Sequence, residues 1–223
     1  MAQPDFPFDA VIFDMDGVIV DTEKFYLDTL AQLFGAEGIE VPFEDLCVTV
    51  GASYKEFKRN LVRWFALGGQ DVTEDEALAR YNVWEASNAP DFAALCNPGV
   101  VETIEELKRR GVRLALASSS PMGNILEVLD ACGLSGSFEL VTSGEQFKQS
   151  KPDPEIYLHT LESLGLPASS CCCVEDSVPG ITAGKAAGLT VFAKREDRFG
   201  FSQDAADCII DTIPDLLSAA QVR

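Results

Sequence analysis

Short, largely apolar runs punctuate the chain, one near its start and five in its second half. Residues 10–13 read Ala-Val-Ile-Phe, and comparable runs lie at 112–117, 139–142, 171–174, 190–193 and 208–210. Brief runs without strict polar alternation suit strands buried on both faces, as in a parallel sheet. Helical periodicity separates the later runs. Val101, Ile104 and Leu107 share a face, with Gly111 as a stop, and Ile125, Val128 and Leu129 repeat the pattern ahead of Gly133. Asp153-Pro154 predicts an N-cap and a first-turn proline, opening a helix that carries Tyr157, Leu158, Leu161 and Leu164 before Gly165. Strands alternating with helices predict βαβ units with right-handed crossovers, and so an α/β, Rossmann-like, doubly wound parallel sheet.

Residues 22–90 depart from this rhythm and read as all-helical. Tyr26, Leu30, Leu33 and Phe34 lie on one helical face. Ser53 and Glu56 form a capping-box pattern ahead of Phe57, Leu61, Trp64 and Phe65, and Thr73 and Glu76 form another ahead of Leu78, Tyr81 and Trp84. The pattern predicts a small helical cap domain over 22–96, inserted into a core made of 1–21 and 97–223. The expected hinges are Asp21-Thr22 and Asn97-Pro98-Gly99.

Charge narrows the function. The formal net charge is −19, and no basic stripe offsets it. Such a surface repels nucleic acid and anionic lipid, so neither is an expected partner. An anionic substrate would be repelled too unless a local cationic centre reversed the field, which points to a bound metal. Seven cysteines are present, three of them consecutive at 171–173, with no Cys-x-x-Cys pair. An odd count with adjacent members reads as small apolar fillers of a buried strand in a reducing compartment. The first residues carry no basic region, and the run at 10–13 is too short for a signal or membrane helix. A cytoplasmic enzyme, monomeric or weakly dimeric, is the expectation.

The candidate chemistry sits at the ends of the apolar runs. Asp14-Met15-Asp16-Gly17 follows the first. Residues two apart on an extended backbone point the same way, so Asp14 and Asp16 are expected to project together from the carboxyl edge of the sheet, where open α/β folds place their sites. Two carboxylates this close either bind a cation or share a proton. Glu175-Asp176 ends another run, and hard oxygen donors of this kind suit Mg²⁺. Ser118 and Ser119 finish the run at 112–117 with hydroxyls, and Lys151 lies in a stiff Lys-Pro-Asp-Pro context. Asp14, Asp16, Glu175 and Asp176 bring four negative charges; Mg²⁺ and Lys151 return three. A phosphate dianion would then need hydrogen-bond donors from Ser118 and backbone amides, and a proton on Asp16.

Taken in order, Asp14-x-Asp16-Gly17, Ser118, Lys151 and Glu175-Asp176 resemble the motifs of the haloacid dehalogenase superfamily. The stretches Phe13 to Glu23 and Lys151 to Tyr157 are similar to its β-phosphoglucomutase-like subgroup of phosphatases and mutases. The resemblance implies a Mg²⁺-dependent enzyme of small phosphorylated metabolites. In it Asp14 attacks phosphorus, Asp16 protonates the leaving oxygen and then activates water, and Ser118 and Lys151 grip phosphoryl oxygens. Mg²⁺ would take the side chains of Asp14 and Asp176 and the main-chain carbonyl of Asp16, with Glu175 holding the metal or its waters. Dehalogenation, which needs neither the second acid nor the metal, is disfavoured. Mutases of the subgroup carry a cap histidine and a cap arginine where Tyr26 and Tyr54 stand here, so hydrolysis is favoured over the alternative, a hexose-phosphate mutase. The only histidine, His159, is expected to be structural. Glu23, Tyr54, Lys55 and Arg59 are candidate substrate contacts on the cap.

Overall fold

The structure is a computed structural model and describes residues 6–52 and 54–220. Six strands form its sheet: β1 (Ala10–Phe13), β2 (Arg113–Ser118), β3 (Leu140–Ser143), β4 (Cys171–Glu175), β5 (Thr190–Lys194) and β6 (Cys208–Ile210). Their order is β3-β2-β1-β4-β5-β6, and every neighbouring pair is parallel. This is the doubly wound sheet expected from the apolar runs. The helices are α1 (Glu23–Ala36), α2 (Phe43–Leu46), α3 (Tyr54–Leu67), α4 (Glu74–Ser87), α5 (Phe92–Leu95), α6 (Val100–Arg109), α7 (Met122–Ala131), α8 (Glu155–Leu164), α9 (Val178–Ala186) and α10 (Leu216–Ala219). Among the described residues no helix is long and apolar enough to cross a membrane.

Alternation along the strands divides the core into two layers. Val11, Phe13, Leu114, Leu116, Cys172 and Val174 face one side, packed with Val100, Ile104 and Leu107 of α6 and Ile125, Val128 and Leu129 of α7. Ala10, Ile12, Ala115, Ala117, Cys171 and Cys173 face the other, packed with Ile156, Tyr157, Leu161 and Leu164 of α8 and Ile181 and Ala183 of α9. The three consecutive cysteines are fully buried strand residues and the seven cysteines, all among the described residues, form no disulfide, consistent with the filler role. Crowding explains the small residues opposite: a Cβ on Gly184 would lie 2.7 Å from Cys173 Sγ.

The chain divides into two compact units, one of Met1–Asp21 with Phe92–Arg223 and one of Thr22–Asp91. The second crossing thus falls at 91/92, ahead of the 96/97 boundary read from the sequence. Helix α5 is the reason: it continues the helical run, yet Phe92 is buried in the core cluster with Cys132. Within the helical unit, Phe34 of α1 meets Trp64 and Phe65 of α3 edge-on, with centroids 5.5 and 5.0 Å apart. The capping box of Thr73 and Glu76 forms at the start of α4. Ser53, read as a cap of α3, lies outside the described residues. At α8 the expectation shifts by one residue. Pro154 occupies the N-cap position rather than the first turn, and Asp153 Oδ1 accepts from Glu155 N at 2.9 Å.

Candidate active site

The central strand sets the site. β1 lies between β2 and β4, and the register aligns Phe13 with Leu116 and with Val174. Asp14 therefore leaves the sheet level with Glu175, and its N–H donates to the Val174 carbonyl at 3.0 Å. By alternation Asp14 follows Ala10 and Ile12 toward the α8 and α9 side, and Glu175 follows Cys171 and Cys173 to the same side. The chain then turns sharply at Gly17, whose φ of +77° favours glycine. Asn97 fixes that turn, donating from Nδ2 to the Gly17 and Val18 carbonyls at 3.2 and 2.8 Å.

Lys151, on the loop ahead of α8, reaches into this edge. Its Nζ donates to Asp14 Oδ1 at 2.7 Å, to Glu175 Oε1 at 2.6 Å and to the Ala117 carbonyl at 3.1 Å. Tyr157 of α8 donates its hydroxyl to the same Glu175 Oε1, and its ring lies 5.0 Å from Lys151 Nζ. One ammonium thus serves two buried carboxylates. Burial pushes Asp14 up to about 7, with the Glu175 charge adding to the rise and Lys151 opposing it. Burial alone would lower Lys151, but Asp14 and Glu175 more than reverse this and hold it above its ordinary value. Burial likewise drives the Tyr157 hydroxyl well above its usual range, which keeps it a donor.

Asp176 completes the cluster. Carboxylate oxygens of Asp14, Glu175 and Asp176 all lie within 4.8 Å of one another, and all three residues are buried. Two glycines make the space they fill. A Cβ on Gly17 would lie 1.9 Å from Asp176 Oδ2, and one on Gly180 would lie 1.9 Å from Glu175 Oε2. Three buried carboxylates gather here, two of them sharing the Lys151 ammonium, and hard oxygen donors of this kind are what a divalent cation takes. The donor set therefore fits a divalent metal.

The other expected residues divide between the two units. Asp16, half-buried, stands outside the group of three; its Oδ2 accepts from Ser120 Oγ at 2.9 Å. Ser118, at the end of β2, is fully buried, and its Oγ accepts from Ser120 N at 3.1 Å. Ser119 is half-buried beside it. The serine that meets the second aspartate is thus Ser120, which the sequence reading passed over. It is fixed from β3, since Ser143 Oγ donates to its carbonyl at 2.8 Å. Glu23 opens α1, and Tyr54, Lys55 and Arg59 are exposed on α3, all within the helical unit. His159 is exposed, edge-on to Phe147 with centroids 5.3 Å apart.

Comparison with known proteins places this edge in a lineage. The family model of the haloacid dehalogenase-like hydrolases matches residues 8–188. The chain is 38% identical over 185 residues to a phosphorylated carbohydrates phosphatase of Thermotoga maritima, covering 81% of this chain and 82% of that protein. It is 31% identical over 186 residues to the chloroplastic protein SUPPRESSOR OF QUENCHING 1 of Arabidopsis thaliana, covering 82% of this chain but only 17% of that much longer one. The crystal structure of β-phosphoglucomutase from Clostridium difficile shares its fold, with a TM-score of 0.75 at 23% identity, covering 97% of this chain and 100% of the other. A family match across most of the chain, with acidic residues gathered at the carboxyl ends of β1 and β4, makes this protein a member of the haloacid dehalogenase-like hydrolases.

Proposed function

We propose that the chain is a Mg²⁺-dependent phosphatase of small phosphorylated metabolites, sugar phosphates foremost, working through an aspartyl-phosphate on Asp14. The observation that carries this reading is the contact of Lys151 Nζ with Asp14 Oδ1 at 2.7 Å within a group of three buried carboxylates. The substrate class is supported by the relative from Thermotoga maritima, whose name specifies phosphorylated carbohydrates.

Asp14, Glu175 and Asp176 would hold Mg²⁺, with the Asp16 carbonyl as a further ligand. When bound, the ion neutralises charge on the phosphoryl group and the carboxylates. An Asp14 carboxylate oxygen forms a bond to phosphorus as the ester P–O bond breaks. Asp16 gives its proton to the departing alkoxide, then takes one from the water that attacks phosphorus and cleaves the Asp14–phosphorus bond, releasing phosphate. Lys151 and Ser118 hold phosphoryl oxygens, and Tyr157 keeps Glu175 in place beside the lysine. The helical unit acts as the cap, and Glu23, Tyr54, Lys55 and Arg59 supply its contacts to the organic part of the substrate.

The test is phosphate release from a panel of sugar phosphates with Mg²⁺. EDTA and Asp14→Asn are each expected to abolish it. A fully active Asp14→Asn enzyme would remove the nucleophile and the mechanism with it. Phosphorus NMR of a hexose 1-phosphate separates hydrolysis from the mutase alternative, which would yield the 6-phosphate with little free phosphate.

A further inference from the structure

Asp176 is a metal candidate that lies outside regular structure. It lies just beyond the end of β4 at Glu175, and the next helix starts only at Val178. Its N–H donates to the neighbouring Glu175 Oε2 at 3.3 Å, but its carbonyl is held from far along the sequence. Gln203, in the connection between β5 and β6, donates from Nε2 to the Asp176 carbonyl at 2.5 Å and to the Lys194 carbonyl at 2.8 Å. Its Oε1 accepts from Glu196 N at 3.0 Å. The side chain is buried, and both protons and the acceptor oxygen of its amide are engaged.

We propose that Gln203 is a positioning residue for the metal-binding carboxylate of Asp176. This rests on the metal site of the preceding section. The carboxyl end of Asp176 is crowded by Gly17, where any Cβ would collide with Oδ2. Its placement therefore depends on the main chain staying put, and the Gln203 amide ties that main chain to the end of β5 through Lys194. Without the amide, the Asp176 carbonyl loses this buried donor and the junction between β4 and α9 gains freedom. Outer partners that orient metal ligands typically contribute about 10–100-fold in metal affinity, and that loss is expected here.

The experiment compares Mg²⁺ binding by calorimetry in the wild type, Gln203→Met and Asp176→Asn, with near-UV circular dichroism to establish folding. Gln203→Met preserves volume and removes all three hydrogen bonds. Its Mg²⁺ dissociation constant is expected to rise about 10–100-fold. At saturating Mg²⁺ kcat should return to within about threefold of wild type, since Gln203 acts through Asp176 and not on the reacting atoms. Should Gln203→Met fail to fold, Gln203→Asn, which withdraws the same amide by one methylene, gives the comparison and is expected to shift binding in the same direction. A folded variant that binds Mg²⁺ within twofold of wild type, while Asp176→Asn binds weakly, overturns the role of Gln203 alone. Wild-type binding in Asp176→Asn as well overturns the metal site itself.

Discussion

Gly180, the third residue of α9, offers a test in which two ordinary effects oppose each other. Alanine in a helix ordinarily gains about 0.5–1 kcal/mol over glycine. Here the added Cβ would lie 1.9 Å from Glu175 Oε2, 2.1 Å from its Cδ and 2.2 Å from Oε1. The carboxylate cannot swing aside freely. It is fully buried, its Oε1 accepts from Lys151 at 2.6 Å and from the Tyr157 hydroxyl, and its Oε2 accepts from Asp176 N at 3.3 Å. Overpacking a core costs about 1–3 kcal/mol, and separating a buried ion pair about 3–5 kcal/mol. A compromise in which the pair is stretched and the helix shifts leaves a net loss of about 2–4 kcal/mol. For a chain of this size that lowers the melting temperature by roughly 4–16 °C. Gly123→Ala is the matched control. Gly123 is the second residue of α7, and nothing lies within 4 Å of its added Cβ, so its melting temperature should hold or rise. Scanning calorimetry of both variants decides. A Gly180→Ala protein that melts at or above the wild type would show that Glu175 is not confined as the geometry indicates.

Tyr157→Phe removes the hydroxyl that donates to Glu175 Oε1 while retaining the ring beside Lys151; a loss of about 1.5–3 kcal/mol is expected, read from the urea midpoint. Ser120→Ala withdraws the donor to Asp16 Oδ2, and steady-state kinetics should show kcat falling about tenfold with KM little changed. Asp14 gives a pH prediction for the metal-free protein. Its folded value of about 7 lies above the ordinary 3.8, so the folded state prefers the protonated acid. That preference favours folding fully below about pH 4 and is lost as pH rises toward 7, an effect of the order of 4 kcal/mol. In EDTA, Asp14→Asn should therefore gain stability over the wild type as pH climbs through that window, measured by urea unfolding at several pH values; a difference that does not change with pH would refute it.

The parallel sheet was legible because its strands are short apolar runs between helical periodicities, and β1, β4, β5 and β6 begin where the runs do. The approach of Asp14 and Glu175 could be anticipated for the same reason, each ending a run. Hydrogen bonding between distant side chains was not legible. Periodicity placed Tyr157 on the buried face of α8 but is blind to its hydroxyl, which turns a core residue into a partner of Glu175. Glu175 read as a metal group alone, yet one of its oxygens is shared by Lys151 and Tyr157. Gln203 sits in an irregular connection where no repeat marks a residue as buried. At the second crossing, α5 continues the helical character of the inserted segment, and only its packing assigns it to the sheet unit.

Lys151 and Asp14 meet although 137 positions separate them, and the chain between them includes the entire helical unit. A fragment that stops short of β4 contains the lysine and the first aspartate but neither member of the Glu175-Asp176 pair. On the proposed mechanism, a growing chain would gain activity only once enough of it has left the ribosome for β4 to dock beside β1. On the same reading, two fragments divided within an exposed connection would each be inert, and turnover would announce their reunion.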